Sequence, residues 1–255
     1  ELGSVIKIFL ALAALDENVV QEEELIDCEG KKTTFVDHIK VNTWKAFGIL
    51  SFKEVIHKSN NIGVVKVAKR LGPKLYDHYI KSGFGQKTGV DFQGEQSGFV
   101  NPPHNWSKQS LFSLSYGYEI TSSILQLARA VAMISNGGYL IRPRIILSDK
   151  QPQKIGPIYS ETSLNRIRQI IEKPGIEDYK IFGKTGTANL LINGEYDRDR
   201  NTYTFSGTIE KDDDKKVIVL YIKESNKKDI YAATVAEPFF IIIAQQIVIK
   251  KKLEK

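Results

Sequence analysis

Lys180-Ile181-Phe182-Gly183-Lys184-Thr185-Gly186-Thr187-Ala188-Asn189-Leu190-Leu191 is the stretch at which the chain changes character. Upstream of Pro174, apolar residues recur at helical spacing; downstream, short β-rich runs are bounded by turn residues. Thr202 to Glu210 and Val217 to Lys223 continue the strand pattern, joined by the charged connection Lys211-Asp212-Asp213-Asp214-Lys215-Lys216. Thr234 to Lys252 then reads as an amphipathic helix. An antiparallel sheet covered by a C-terminal helix is the expected second half.

The first half reads as helices. Ser4 to Asp16 is apolar nearly all the way round, which predicts a buried helix. Ser51-Phe52-Lys53-Glu54 is a capping box and opens a helix toward His57. Further helices are expected from Gly63 to Leu71, stopped by Gly72-Pro73, then from Leu75 to Gly83, Ser123 to Ser135 and Ser163 to Ile171. Glu22 to Gly30 reads as a polar connection, and Gly83 to Pro103, rich in glycine, as loop. The fold class is therefore α+β, a helical lobe over about 1–172 and a sheet lobe over about 173–255.

Composition narrows the function. The chain has 255 residues, 42% hydrophobic and 26% charged, so it is globular rather than disordered or fibrous. Its net charge of +6 comes from lysines mixed with Asp and Glu, with no aromatic-interleaved basic stripe, so no nucleic-acid partner is expected. The single cysteine, Cys28, excludes an internal disulfide framework and reads as structural. Val5 to Leu15 is too short to span a bilayer, and Ile241 to Ile249 is shorter still and carries Gln245 and Gln246. His38, His57, His78 and His104 lack metal-ligand spacing.

Three short motifs carry chemistry. In Ser4-Val5-Ile6-Lys7, positions one helical turn apart share a face, so Lys7 can reach back to Ser4. A serine hydroxyl needs a base to become a nucleophile, and a lysine desolvated in an apolar helix can be that base. The same spacing arises by chance about once or twice in a chain this rich in Ser and Lys; Ser225-Asn226-Lys227-Lys228 is such a match. In Ser59-Asn60-Asn61, a serine and an amide two residues apart can point into one cleft, although Ser-Asn-Asn also serves as a helix cap. In Lys184-Thr185-Gly186-Thr187, a lysine and two hydroxyls on an edge strand suit an extended peptide with a carboxylate, and Gly186 permits close backbone approach. The second Lys-Thr-Gly, Lys87-Thr88-Gly89, lies in the glycine-rich loop and is set aside.

In this order S-x-x-K, S-x-N and K-T-G resemble the penicillin-recognising serine enzymes. Glu1-Leu2-Gly3-Ser4 is similar to that superfamily's Glu-Pro-Gly-Ser lead-in, with Leu2 in place of proline. Ser115-Tyr116-Gly117-Tyr118-Glu119-Ile120, Leu127-Ala128-Arg129-Ala130 to Asn136-Gly137-Gly138, Phe84-Gly85 to Gly94-Glu95, Gly183 to Ala188 and Val235-Ala236-Glu237-Pro238-Phe239 also match. The whole resembles the transpeptidase domain of a division-type class B penicillin-binding protein.

The resemblance implies a peptidoglycan D,D-transpeptidase of septal wall synthesis, acylated by β-lactam antibiotics. Ser4 would attack the carbonyl between two terminal D-alanines of a stem peptide and Lys7 would take its proton. Backbone N–H groups of Ser4 and Thr187 would hold the oxyanion. Ser59 and Lys184 would pass a proton to the leaving D-alanine; Asn61, Thr185, Gly186 and Thr187 would bind the peptide. No metal or organic cofactor is implied. Expected partners are peptidoglycan stem peptides, β-lactams, a membrane glycosyltransferase and division proteins, at the outer face of the cytoplasmic membrane in the bacterial envelope. The alternatives are a non-catalytic penicillin-binding sensor or scaffold and a serine β-lactamase. For the latter, Glu161-Thr162-Ser163-Leu164-Asn165 matches the deacylation motif literally but lies far beyond Ser59, and Asn60 replaces the aspartate of S-D-N. By the same resemblance a helix, two strands and a membrane anchor precede the nucleophile, so the chain is expected to be truncated at its N-terminus, leaving Val217 to Lys223 on a bare sheet edge.

Overall fold

A helix with no polar face has to be enclosed, and the chain is laid out to enclose one. The computed structural model describes residues 1–224 and 230–254, so Ser225-Asn226-Lys227-Lys228 lies outside the described residues. The buried helix is α1 (Lys7–Asp16), every residue of which is buried except Asp16. The expected first turn differs: Gly3–Ile6 is a 3₁₀ turn that leads into α1. Gly3 requires this, because its φ of +53° and its contact with Thr187 pin the turn to the sheet.

Two small two-stranded pairings follow, a ladder enclosing a hairpin, and only the first of their strands falls in the stretch that reads as a polar connection. They are built from β1 (Leu25–Asp27), β2 (Thr33–Val36), β3 (Ile39–Asn42) and β4 (Ile49–Ser51), with β1 pairing β4 and β2 pairing β3. Next come α2 (Phe52–His57), α3 (Asn61–Leu71) and α4 (Lys74–Lys81). The predicted capping box is present, Ser51 accepting from the Glu54 N–H and Glu54 from the Ser51 N–H. β5 (Phe99–Val100), α5 (Ser110–Tyr116), β6 (Ile120–Thr121), α6 (Ile124–Ser135), β7 (Leu140–Ile141), β8 (Lys154–Ile155) and α7 (Glu161–Ile171) complete the helical part. α7 starts two residues earlier than expected because Ser160 caps it. α1 is surrounded by α2, α3, α4, α5 and α7, and Cys28 is buried in the same core.

The sheet has the order β12-β11-β10-β9, all antiparallel, from β9 (Glu172–Ile176), β10 (Tyr179–Ile192), β11 (Glu195–Lys211) and β12 (Asp214–Lys223). Two departures from expectation have local causes. β9 runs through Pro174-Gly175, which an edge strand tolerates. β11 starts seven residues early because Asn193 and Gly194 both take positive φ, giving the tight turn that favours a long hairpin. Among the described residues β12 pairs only with β11 and forms the outer edge, as expected of Val217 to Lys223.

α8 (Ala232–Leu253) closes the far face of the sheet. Ala232, Ala236, Phe240, Ala244 and Val248, every fourth residue, are buried against Ile181, Tyr203, Phe205 and Ile209. The Phe205 and Phe240 rings meet at 4.3 Å. By length and composition α8 could cross a membrane, which the shorter Ile241–Ile249 reading missed; here its buried stripe packs on the sheet.

Candidate active site

The β9–β10 ladder covers β10 only from Tyr179 to Phe182. From there on, the side of β10 away from β11 faces the Gly3–Ile6 turn and an open cleft. This corrects the simple edge-strand expectation for Lys184 to Thr187: the strand is internal at its start and an edge only along the motif. Gly183 and Gly207 stand opposite each other, where the Phe205 ring leaves no room for a Cβ.

The cleft has a volume of about 490 Å³. Ser4, Ser59, Asn61, Thr185 and Thr187 line it, five of the eight side chains and backbone positions singled out from sequence. Lys7 and Lys184 lie behind it, and both are buried. Gly186 is the exception. It turns away from the cleft, and a Cβ there would lie 2.7 Å from Leu2 O and from Val5 Cγ2. Its lack of a side chain lets the Gly3–Ile6 turn sit against the strand.

Ser59 is the hub. It follows α2 in the left-handed region at φ +56°, a conformation costly for a non-glycine residue. Its Oγ accepts from Lys7 Nζ at 3.3 Å and from Lys184 Nζ at 3.0 Å. Lys7 Nζ also donates to Ser59 O at 2.9 Å and to Asn61 Oδ1 at 2.5 Å. Ser4 Oγ is not among the Lys7 partners in this unliganded arrangement; catalytic contacts commonly tighten only when substrate binds. The S-x-N tripeptide divides its labour. Asn60 is the buried helix cap, accepting from the Gly63 N–H at 2.8 Å, while Asn61 faces Lys7 and donates its amide to Asn42 O at 2.8 Å. Thr187 Oγ1 accepts the Ala232 N–H at 3.0 Å, tying the first turn of α8 to the motif strand.

Burial shifts both lysines. Lys7 falls well below the usual lysine range, first through burial and then through the charge of Lys184. Lys184 is brought down to about 7 by burial and by Lys173, against a smaller opposing pull from Glu237. A neutral Lys7 can accept a proton at neutral pH, which an ordinary surface lysine cannot.

Several lining residues were missed by sequence reading. Trp44, anchored by Nε1–H to Lys58 O at 2.8 Å, stands beside Tyr231. His57, Lys173 and Glu237 line the Lys184 side. Tyr118 lies at the opposite end and donates to Asn189 Oδ1 at 2.9 Å, with Asn201 beyond it. Only the matched segments around Tyr118 and Glu237 signalled any of these. Glu161 of the E-x-x-L-N match is an exposed residue at the start of α7, with Leu164 in the core, and does not line the cleft. Lys87 is exposed in a loop that Glu95 holds through Thr88 and Gly89.

A family profile described as penicillin binding protein transpeptidase domain matches residues 1–247. The chain belongs to the penicillin-binding protein transpeptidase domain family. Among its relatives, Stage V sporulation protein D of Bacillus subtilis (strain 168) is 32% identical over 238 residues, covering 84% of this chain and 36% of the relative. Peptidoglycan D,D-transpeptidase FtsI of Buchnera aphidicola subsp. Schizaphis graminum is 29% identical over 216 residues, covering 80% of this chain and 37% of that protein. The chain thus spans little more than a third of these relatives. Among solved structures, penicillin-binding protein 3 of Mycobacterium tuberculosis in complex with aztreonam superposes with a TM-score of 0.86 at 26% identity, covering 99% of this chain and 63% of that one. The transpeptidase domain of Burkholderia pseudomallei penicillin-binding protein 3 gives 0.78 at 29%, covering 88% and 71%.

Proposed function

We propose that this transpeptidase domain is the acyl-transfer centre of a peptidoglycan D,D-transpeptidase of septal wall synthesis, with Ser4 as nucleophile. The observation that carries the reading is Ser59 Oγ held between two buried lysines of lowered proton affinity, at 3.3 and 3.0 Å. A hydroxyl between two amines can receive a proton from one and hand one on to a leaving group.

In the proposed sequence Ser4 Oγ attacks the carbonyl between two terminal D-alanines, and its proton passes to Lys7. Backbone N–H groups of Ser4 and Thr187 stabilise the oxyanion. The C–N bond then breaks, and the proton travels from Lys7 through Ser59 to the departing amine, so the acyl-enzyme forms without net proton change. Lys184 stays charged beside Ser59. Thr185 and Thr187 donate to the terminal carboxylate; Thr187 is free to donate because its bond to Ala232 uses a lone pair. Asn61 fixes Lys7 and positions the peptide amide. An amine from a second strand reverses these steps, releasing the cross-link. β-Lactams take the donor's place, and the envelope, a glycosyltransferase and division proteins are the proposed setting.

Transfer rather than hydrolysis is favoured because Glu237, the one carboxylate lining the cleft among the described residues, is paired with Lys173 at 2.9 Å. Incubation with a penicillin, followed by intact-mass spectrometry and tryptic mapping, tests the reading. One persistent adduct on Ser4 is expected. An adduct on another serine, rapid turnover, or no adduct on folded protein refutes it; the last would favour a sensor or scaffold.

A further inference from the structure

The mechanism above leaves Lys173 and Glu237 without a role, although both line the cleft. Lys173 Nζ and Glu237 Oε1 are 2.9 Å apart and only 23% and 24% exposed. Lys173 stands on β9 opposite Ile181, three residues before Lys184 along β10. Glu237 sits in the second turn of α8, whose first N–H is bound by Thr187. The pair therefore clamps β9 to α8 beside Lys184. His57, Lys173 and Thr185 line both the main cleft and a small cavity of about 20 Å³ against Lys184, room for about one water. These three side chains border both spaces.

The proposed chemistry needs a specific distribution of charge. Lys7 has to be neutral to accept the Ser4 proton, while Lys184 has to be charged. Both amines touch Ser59 Oγ, so a proton can reside on either. Resting on the transpeptidase reading, we propose that Glu237 is a positioning residue: paired with Lys173, it offsets that lysine's repulsion and so keeps this proton on Lys184 rather than on Lys7. The charged and titratable groups around Lys184 are Lys7 on α1, His57 with Lys58 behind it at the end of α2, Lys173 on β9 and Glu237 on α8. Glu237 is the only negative group of this set. It neutralises Lys173 at the point where that lysine would otherwise repel Lys184, and it raises the proton affinity of Lys184. His57 is held toward its neutral form by burial, Lys173, Lys184 and Lys58, so it adds little charge at neutral pH.

The test is the pH dependence of the second-order rate constant for acylation of the full chain by a chromogenic cephalosporin. The parent should give a bell, its acid limb set by loss of the proton from Lys7 and its alkaline limb by loss from Lys184. Glu237→Gln should move the alkaline limb down by about one pH unit, and Lys173→Met should move it up by about as much. The double variant should return the limb to the parent position, because the pair carries no net charge, and Lys173→Arg should leave it there. Limbs that stay in place in both single variants, with only the rate or the melting temperature lowered, would mean a structural clamp and overturn the inference. So would shifts in the same direction. In both cases normal acylation of Ser4 in the parent leaves the transpeptidase reading standing. A parent chain that takes no adduct overturns that reading and this inference together.

Discussion

Gly186→Ala tests whether the motif strand and the Gly3–Ile6 turn are held in direct contact. The added methyl would lie 2.7 Å from Leu2 O, 2.7 Å from Val5 Cγ2 and 3.0 Å from Val5 N. Two of these atoms are backbone and cannot rotate away, and the closest contacts are about 0.7 Å shorter than ordinary van der Waals approach. Relief requires the Gly3–Ile6 turn to back away from β10, carrying Ser4 with it. A reacting atom displaced by about 1 Å can cost about a hundredfold in rate, so a ten- to hundredfold slower acylation is expected. Overpacking should also lower stability by about 1–3 kcal/mol. Acylation by a β-lactam, followed by mass spectrometry against time, gives the first quantity, and urea unfolding gives the second. Acylation within twofold of the parent, with an unchanged unfolding midpoint, would refute the contact. A loss confined to peptide substrates, with β-lactam acylation intact, would show that Gly186 acts on the substrate instead.

Two further outcomes are expected. Folded Lys184 titrates near 7 and folded Lys7 well below its ordinary value, so the unfolded chain binds more protons above about pH 7, and stability should rise with pH toward the ordinary lysine range near 10.5. Urea unfolding between pH 6 and 10 should show this rise, and Lys184→Met should flatten it; an unchanged slope in the variant would count against the buried-lysine account. Of the two Lys-Thr-Gly copies, Lys184→Ala should slow acylation about a hundredfold or more, because Ser59 loses its strand-side partner. Lys87→Ala, on an exposed loop side chain, should leave the rate within a factor of two; equal losses would reverse the assignment.

Apolar patterning made the three longer strands and all the described α-helices except the short α5 legible. Ser51 and Glu54 announced their helix through reciprocal hydrogen bonds, and Leu164 fell in the core as its spacing required. β9 was hidden by Pro174 and Gly175, which read as breakers yet sit acceptably on an edge. The start of β11 was hidden by the charged run from Glu195 to Arg200, which reads as loop until the Asn193-Gly194 turn is placed beneath it. At the site, Ser4, Lys7, Ser59, Asn61 and Lys184 were legible because their chemistry is local to short motifs. Trp44, His57, Lys173, Asn201 and Tyr231 were not, since tertiary contact alone brings these separate segments to one cleft. Gly186 shows a different limit: its position in the motif suggested substrate, whereas the atoms around it belong to Leu2 and Val5.

The bond from the Ala232 N–H to Thr187 has a mechanical consequence. Tyr231, Ala232, Ala233 and Thr234 put the positive end of α8 at the cleft wall, and a helix of 22 residues is about 33 Å long. An anion seated at Thr187 gains from that end, about 0.3–1 kcal/mol for a charge near a helix terminus. By reciprocity the bound anion must hold the helix to the sheet by the same amount. Occupancy of the cleft by an anion and the seating of the first turn of α8 on the motif strand are therefore coupled.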